Sequence, residues 1–157
     1  MSRPRTFSRV AAVQALYQAE HAEVNPEIVI DQFVRHRIHS LPWQGGLEEG
    51  NMPEADVPLF TRIVRTAAQQ QDVVDGMIAK ALPEAWPMTR LDPVLRAALR
   101  AGGAELWMTD GPPAKVVINE YLDVAHGFFS GDEPRMLNGV LDKLAHLLRP
   151  AEFFSAG

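Results

Sequence analysis

The stretch RMLNGVLDKLAHLL, residues 135–148, carries two opposed signals. Asn138-Gly139 flanked by apolar residues is a strong short-range hairpin signal, because both residues accept positive φ at little cost. Around that pair, Met136, Leu137, Val140, Leu141, Leu144 and Leu148 recur at three- and four-residue spacing, the period of a helix with one buried face. The stripe runs through the pair without a change of phase, so the segment reads as a helix. It holds a glycine that costs about 1 kcal/mol in a helix interior.

The same period governs the rest of the chain. A first helix is predicted over roughly 6–22, with Val10, Val13 and Leu16/Tyr17 on one face and Ala11, Ala12, Ala15 and Ala19 permitting close approach. Asn25-Pro26-Glu27 is a helix start, an amide cap followed by proline at the first helical position. Ile30, Phe33, Val34 and Ile38 continue its stripe. Pro58 opens the longest pattern, through Phe60, Ile63, Ala67, Gln70, Val74, Met77 and Ala81, which ends before Pro83. Asp92-Pro93 starts another helix carrying Val94, Leu95, Ala98, Leu99 and Leu106. Residues 114–128 form the next, with Val117, Ile118, Tyr121, Leu122 and Ala125, and Pro134 opens the last. Six or seven helices with short connections make an all-α antiparallel bundle in a single domain over 1–157. Residues 39–56 are the exception. They are rich in Gly, Pro and acids and lack periodicity, so they read as a long loop, mobile or functional.

Composition narrows the function. The chain has 157 residues, no cysteine and a net charge of −5. Thiol nucleophiles, disulfides and thiolate metal sites are thereby excluded. No apolar run could span a bilayer and no secretory h-region follows the N-terminal arginines, so a cytoplasmic protein with no membrane partner is expected. Residues 1–19 hold Arg3, Arg5 and Arg9 and no acid, a basic arm (1–9) on an acidic body, suited to phosphate contact or simply to solvation as a frayed terminus. No phosphate-cradling glycine loop opens a helix. Gly102-Gly103 lies within a helical pattern, where close helix packing is the plain reading. His36 and His39 lack an acid in register to complete a metal site. The carboxylate pairs Glu48-Glu49, Asp72/Asp75 and Asp132-Glu133 face no candidate base or nucleophile. An enzyme is disfavoured, and neither metal nor other cofactor is expected.

Three strings taken in order, AVQALYQAE (12–20), PAKVVINEYLDVAHGF (113–128) and MLNGVLDKL (136–144), resemble the bacterial NusB transcription antitermination family across essentially the whole chain. The resemblance implies two packed three-helix sub-bundles, about seven helices in all. It also implies binding of single-stranded boxA RNA from ribosomal RNA leader transcripts. The implied partner is NusE, a small-subunit ribosomal protein, within the RNA polymerase antitermination complex, and a homodimer is left open. Carried over by position, Arg3, Arg5 and Arg9 match the phosphate-contacting arm, and Lys115 belongs to the second string. Phe128 is a base platform or a core aromatic. Asp132 accepts from a base amino group or caps the last helix, and Arg135 is a basic position at that helix start. Asn138 presents an amide near the surface or packs between helices, and Gly139 permits close approach of a backbone or base. Tyr17 falls on the partner-facing side of the first helix or packs in the core, and Arg96 lies at a position used toward NusE. The chain departs from the family at Thr6-Phe7-Ser8, which interrupt the arginines, and at Leu95, where an acid is usual. Gly102, Gly103 and Ala104 replace bulkier residues, and the 39–56 loop is longer. These departures bear on RNA affinity and on the NusE contact, and the thin basic arm and net acidity favour an alternative, a NusB-like interaction module with weak or no RNA binding.

Overall fold

Three helix starts in this chain are written as a short polar residue beside proline, and each of the three is closed by that residue's side chain. Asn25 Oδ1 accepts from the Glu27 N–H at 2.8 Å, Asp56 Oδ1 from the Leu59 N–H at 3.1 Å, and Asp92 Oδ1 from the Val94 N–H at 2.8 Å. Each satisfies a donor that the first helical turn leaves unpaired. The structure, a computed structural model, describes residues 3–38 and 55–154. Among the described residues are seven α-helices and no strand: α1 (Arg3–Ala22), α2 (Pro26–Phe33), α3 (Val57–Gln69), α4 (Gln71–Ala81), α5 (Pro93–Trp107), α6 (Ala114–Phe128) and α7 (Glu133–Leu148). A π-helical turn (Val34–Ile38) follows α2, and 3₁₀ turns occupy Met88–Arg90 and Pro150–Glu152. Most of the expected 39–56 loop, and His39, lie outside the described residues.

The helices α1, α2 and α3 pack on one another, as do α5, α6 and α7, with α4 laid against α5 and α7. Helix α5 touches both groups, so the two three-helix bundles share a central helix. Its burial is nearly complete: Leu95, Leu99 and Leu106 are each 0% exposed. Ala11, Ala12, Ala15 and Ala19 of α1 are also buried, which lets α1 approach α3 and α5 closely.

Two expectations about elements change. The basic arm is not separate from the first helix, because α1 begins at Arg3 and residues 3–9 are its first turns. The long 58–82 pattern is two helices, broken at Gln70 (φ −106°, ψ 19°). Backbone bonding survives the break, with Gln70 N–H donating to Thr66 O and Val74 N–H to Gln70 O, each at 2.9 Å. The bend lets Phe60, Ile63 and Val64 serve the α1 side while Val74, Ile78 and Ala81 turn toward α7.

The glycine pair in α5 is explained by packing. A Cβ on Gly102 would stand 2.9 Å from Leu141 Cδ1 and 3.4 Å from the Tyr121 ring, and one on Gly103 would stand 2.7 Å from Val74 Cγ1. The bulkier residues expected here are excluded because Tyr121, Leu141 and Val74 already fill the space. At its far end α5 is closed by Arg149, which is buried and donates to the carbonyls of Glu105 (2.8 Å) and Leu106 (3.1 Å). A cation there also complements the helix dipole.

Candidate nucleic-acid interface

The end of α6 and the beginning of α7 meet across the turn 129–132, and this junction gathers four of the eight expected RNA-binding residues: Phe128, Asp132, Arg135 and Asn138. Helix α6 runs to Phe128, whose ring is 41% exposed. Its neighbour Phe129 turns inward against the core instead, with the two ring centroids 6.4 Å apart. The choice between platform and core is therefore divided between adjacent phenylalanines. Asp132 takes the capping position of α7 without capping it: its backbone is helical (φ −84°, ψ −5°) and its carboxylate accepts no bond from the helix. Asp132, Arg135 and Asn138, three residues apart, are all exposed. Helical spacing sets them on one face, opposite the buried Leu137, Val140, Leu141 and Leu144. Neither Asp132 nor Arg135 has an ion-pair partner among the described residues, so both charges are presented to solvent. Asn138 is likewise no helix-packing amide.

Beside this face lies a groove of about 390 Å³ between the end of α4, the following turn and α7. Pro83, Trp86, Met136 and Gly139 line it, and Asp132, Arg135 and Lys143 stand around it. Lys143 Nζ donates to the Ala81 carbonyl at 3.2 Å, closing the C-terminal end of α4. Sequence reasoning missed Trp86 and Lys143. Trp86 sits outside any helical stripe, and Lys143 looks like an ordinary solvated position. Gly139 itself meets no neighbouring backbone: a Cβ there would find nothing within 4 Å. Its expected close approach is therefore not to this chain's own helices.

The second group lies at the other end of α6. Lys115 is exposed there, and exposed Arg5 shares a cleft with Pro113 and Val116 at the α6 start. Lys115 and Phe128 are separated by about 20 Å of helix.

Arg9 does not belong to this surface. It is 0% exposed, its Nε and Nη2 donating to Glu105 at 2.6 and 2.9 Å and its Nη1 to Glu120 Oε1 at 3.0 Å. Tyr121 also donates to Glu105, at 2.7 Å. Burial opposes the Arg9 charge, but the bonds to Glu105 and the nearby carboxylates outweigh it and hold its pKa above the ordinary value. Its role as a phosphate contact is corrected to that of a bolt joining α1, α5 and α6. The clue was present: Arg9 precedes Val13 by four and Leu16 by seven residues, on the core face.

The expected partner side carries a second ionic cluster. Arg96 donates to Glu20 (Nε–Oε2 3.0 Å) and to the carbonyls of Met88 (3.2 Å) and Leu91 (3.1 Å), so its guanidinium is occupied. Arg100 joins the same cluster through Glu20 and Asp75. Leu95 points into the core and presents nothing outward. Tyr17 is half-buried and stacks on His21 at 5.5 Å between centroids.

A family model described as the NusB family matches residues 6–146. The chain belongs to the NusB family. The transcription antitermination protein NusB of Granulibacter bethesdensis is 64% identical over 152 residues, covering 97% of this chain and 93% of that protein. Among solved structures, T. maritima NusB superposes with a TM-score of 0.73 at 25% identity, covering 98% of this chain and 99% of its own. A crystal structure of the antitermination factors NusB and NusE in complex with double-stranded RNA shares the fold, with a TM-score of 0.72 at 23% identity over 94% of this chain and 99% of that one. The NusB match includes Tyr17, Arg96, Lys115, Phe128, Asp132, Arg135 and Asn138, and leaves out Arg3 and Arg5.

Proposed function

We propose that this chain is a non-enzymatic transcription antitermination factor that binds boxA-type single-stranded RNA of ribosomal RNA leader transcripts together with NusE, within the RNA polymerase antitermination complex. The observation that carries the reading is the α6–α7 junction. An exposed aromatic, Phe128, stands beside Asp132 and Arg135, two charges left without partners, and the exposed amide of Asn138. Unpaired RNA is recognised by this combination of stacking, base-edge hydrogen bonds and backbone cations. Arg5 and Lys115 serve the phosphates at the start of α6, and Arg3, the first residue of α1, is a further phosphate contact in this reading. Phosphate contacts position the strand and base contacts select it.

NusE docks on the Tyr17 side of α1, with Arg96 acting through Glu20 to hold α1 and α5 in register for it. The family name of the 64%-identical relative supports the antitermination role. The RNA and NusE of the solved complex belong to a chain whose likeness to this one is of fold.

A second reading, an interaction module with weak RNA binding, draws on the removal of Arg9 from the surface and on the net charge of −5. A titration with labelled boxA and scrambled RNA, with and without NusE, separates the two. Preference for boxA, strengthened by NusE, is the expected result. Equal weak binding of both RNAs hands the function to the interaction module.

A further inference from the structure

Helix α6 begins after Pro113, which has no side chain able to accept from the first turn. The acceptor comes instead from the turn that follows α7: Glu152 Oε1 accepts from the Ala114 N–H at 2.8 Å. The other oxygen, Oε2, accepts from Arg149 Nη1 at 3.3 Å, and Arg149 is itself only 6% exposed. A backbone donor at a helix start beside a buried guanidinium is a built seat for an anion, and the anion in it belongs to the chain. Phe153 stacks on His146 with centroids 3.8 Å apart and holds the turn against α7. The seat is not sealed, because the Glu152 side chain is 37% exposed. It opens on a cleft of about 430 Å³ that Thr109, Pro113 and Lys115 also line. Lys115 has no ion-pair partner among the described residues. Pro113 lines the Arg5 cleft as well, so Glu152 stands at the edge of the cationic patch.

We infer that Glu152 is an internal competitor for RNA phosphate, an autoinhibitory carboxylate that a strand lying on Lys115 and Arg5 must displace. The inference rests on the RNA-binding reading above and adds to it a limit on affinity, set by the turn after α7. A carboxylate and a phosphodiester each present two oxygens sharing one negative charge, so the same donors suit both. While Glu152 is seated, its charge offsets the attraction of Lys115 for the strand, and the Ala114 N–H is taken. Displacement leaves the rest of the molecule in place. Arg149 keeps its bonds to the carbonyls of Glu105, Leu106, Met108 and Pro112, so the end of α5 stays closed when the carboxylate leaves.

Glu152→Gln tests the inference, because an amide oxygen can still accept from the Ala114 N–H while the charge is gone. Glu23→Gln is the control. It removes the same charge just past the other end of α1, where Glu23 is exposed and its carboxylate has no partner among the described residues. Affinity for labelled boxA RNA, measured without NusE, should rise about threefold or more at low salt in Glu152→Gln and not in Glu23→Gln. The slope of log affinity against log salt should steepen by about 0.7, the mark of one added phosphate contact. Inorganic phosphate, compared with chloride at matched ionic strength, should raise the urea midpoint of Glu152→Gln more than that of Glu23→Gln. Equal affinities and slopes in the two variants overturn the competition while the RNA reading stands. Weaker RNA binding by Glu152→Gln also overturns it and makes the turn a support for the strand. If neither the wild type nor Glu152→Gln binds RNA, both readings fall.

Discussion

Arg9 shows how one residue can be moved from function to structure by its environment. Its guanidinium faces two carboxylates in the core, so removing it leaves Glu105 and Glu120 buried against each other. Breaking a buried pair from one side costs about 3–5 kcal/mol. Arg9→Ala should therefore lower the urea midpoint sharply, and an unchanged midpoint would mean that the bolt is not formed in solution. Tyr121 belongs to the same cluster. Burial, and next the Glu105 charge, raise its hydroxyl well above the ordinary value of 10.0. A folded-state pKa above the unfolded one gives stability that is complete below about pH 10 and lost as pH rises toward the folded value. Urea midpoints followed from about pH 8 to 11 should fall at the alkaline end in the wild type, and more gently in Tyr121→Phe. Equal alkaline slopes would place the sensitivity elsewhere.

At the scale of elements, the apolar period located six stretches of helix and the proline-marked starts, because burial and capping act over a few residues that the sequence shows directly. The division of 57–81 at Gln70 was not legible. The three- and four-residue spacing continues across the bend, and only the need to reach α7 as well as α1 bends the chain. The α5 glycines were readable as close packing, but the side chains filling their place come from α4, α6 and α7. Gly103→Ala would press a Cβ against the β-branched Val74 and should destabilise by about 1–3 kcal/mol. The opposite sign is expected for Gly139→Ala, which should stabilise by about 0.5–1 kcal/mol. Leu141→Ala, fully buried on α7, should cost about 2–5 kcal/mol. Urea unfolding of the three variants checks all of these at once. A stabilised Gly103→Ala or a neutral Leu141→Ala would contradict the packing described.

Across the whole molecule, two separated patches emerge on an acidic body: cations where α1 and α6 begin, and an aromatic with polar neighbours where α6 ends and α7 starts. Phe128, Asp132, Arg135 and Asn138 were named by the family resemblance, and the structure exposes all four at the α6–α7 junction. Trp86 and Lys143 were not legible in sequence, since the groove they share is made by tertiary contact between the turn after α4 and the side of α7. Arg9 was misplaced because charge alone was weighed there, without its helical phase.

The division of labour between the patches is the central claim, and salt dependence of boxA affinity measures it most directly. Removing a phosphate contact reduces the slope of log affinity against log salt by about 0.7 on a single strand, whereas removing a stacking contact leaves the slope alone. The double variant Arg5→Ala/Lys115→Ala should therefore flatten the slope by about 1.4 while keeping the preference for boxA over scrambled RNA. Phe128→Ala should lose about 1–3 kcal/mol at every salt concentration with the slope unchanged. A slope that responds to Phe128 and ignores Arg5 and Lys115 would contradict the account.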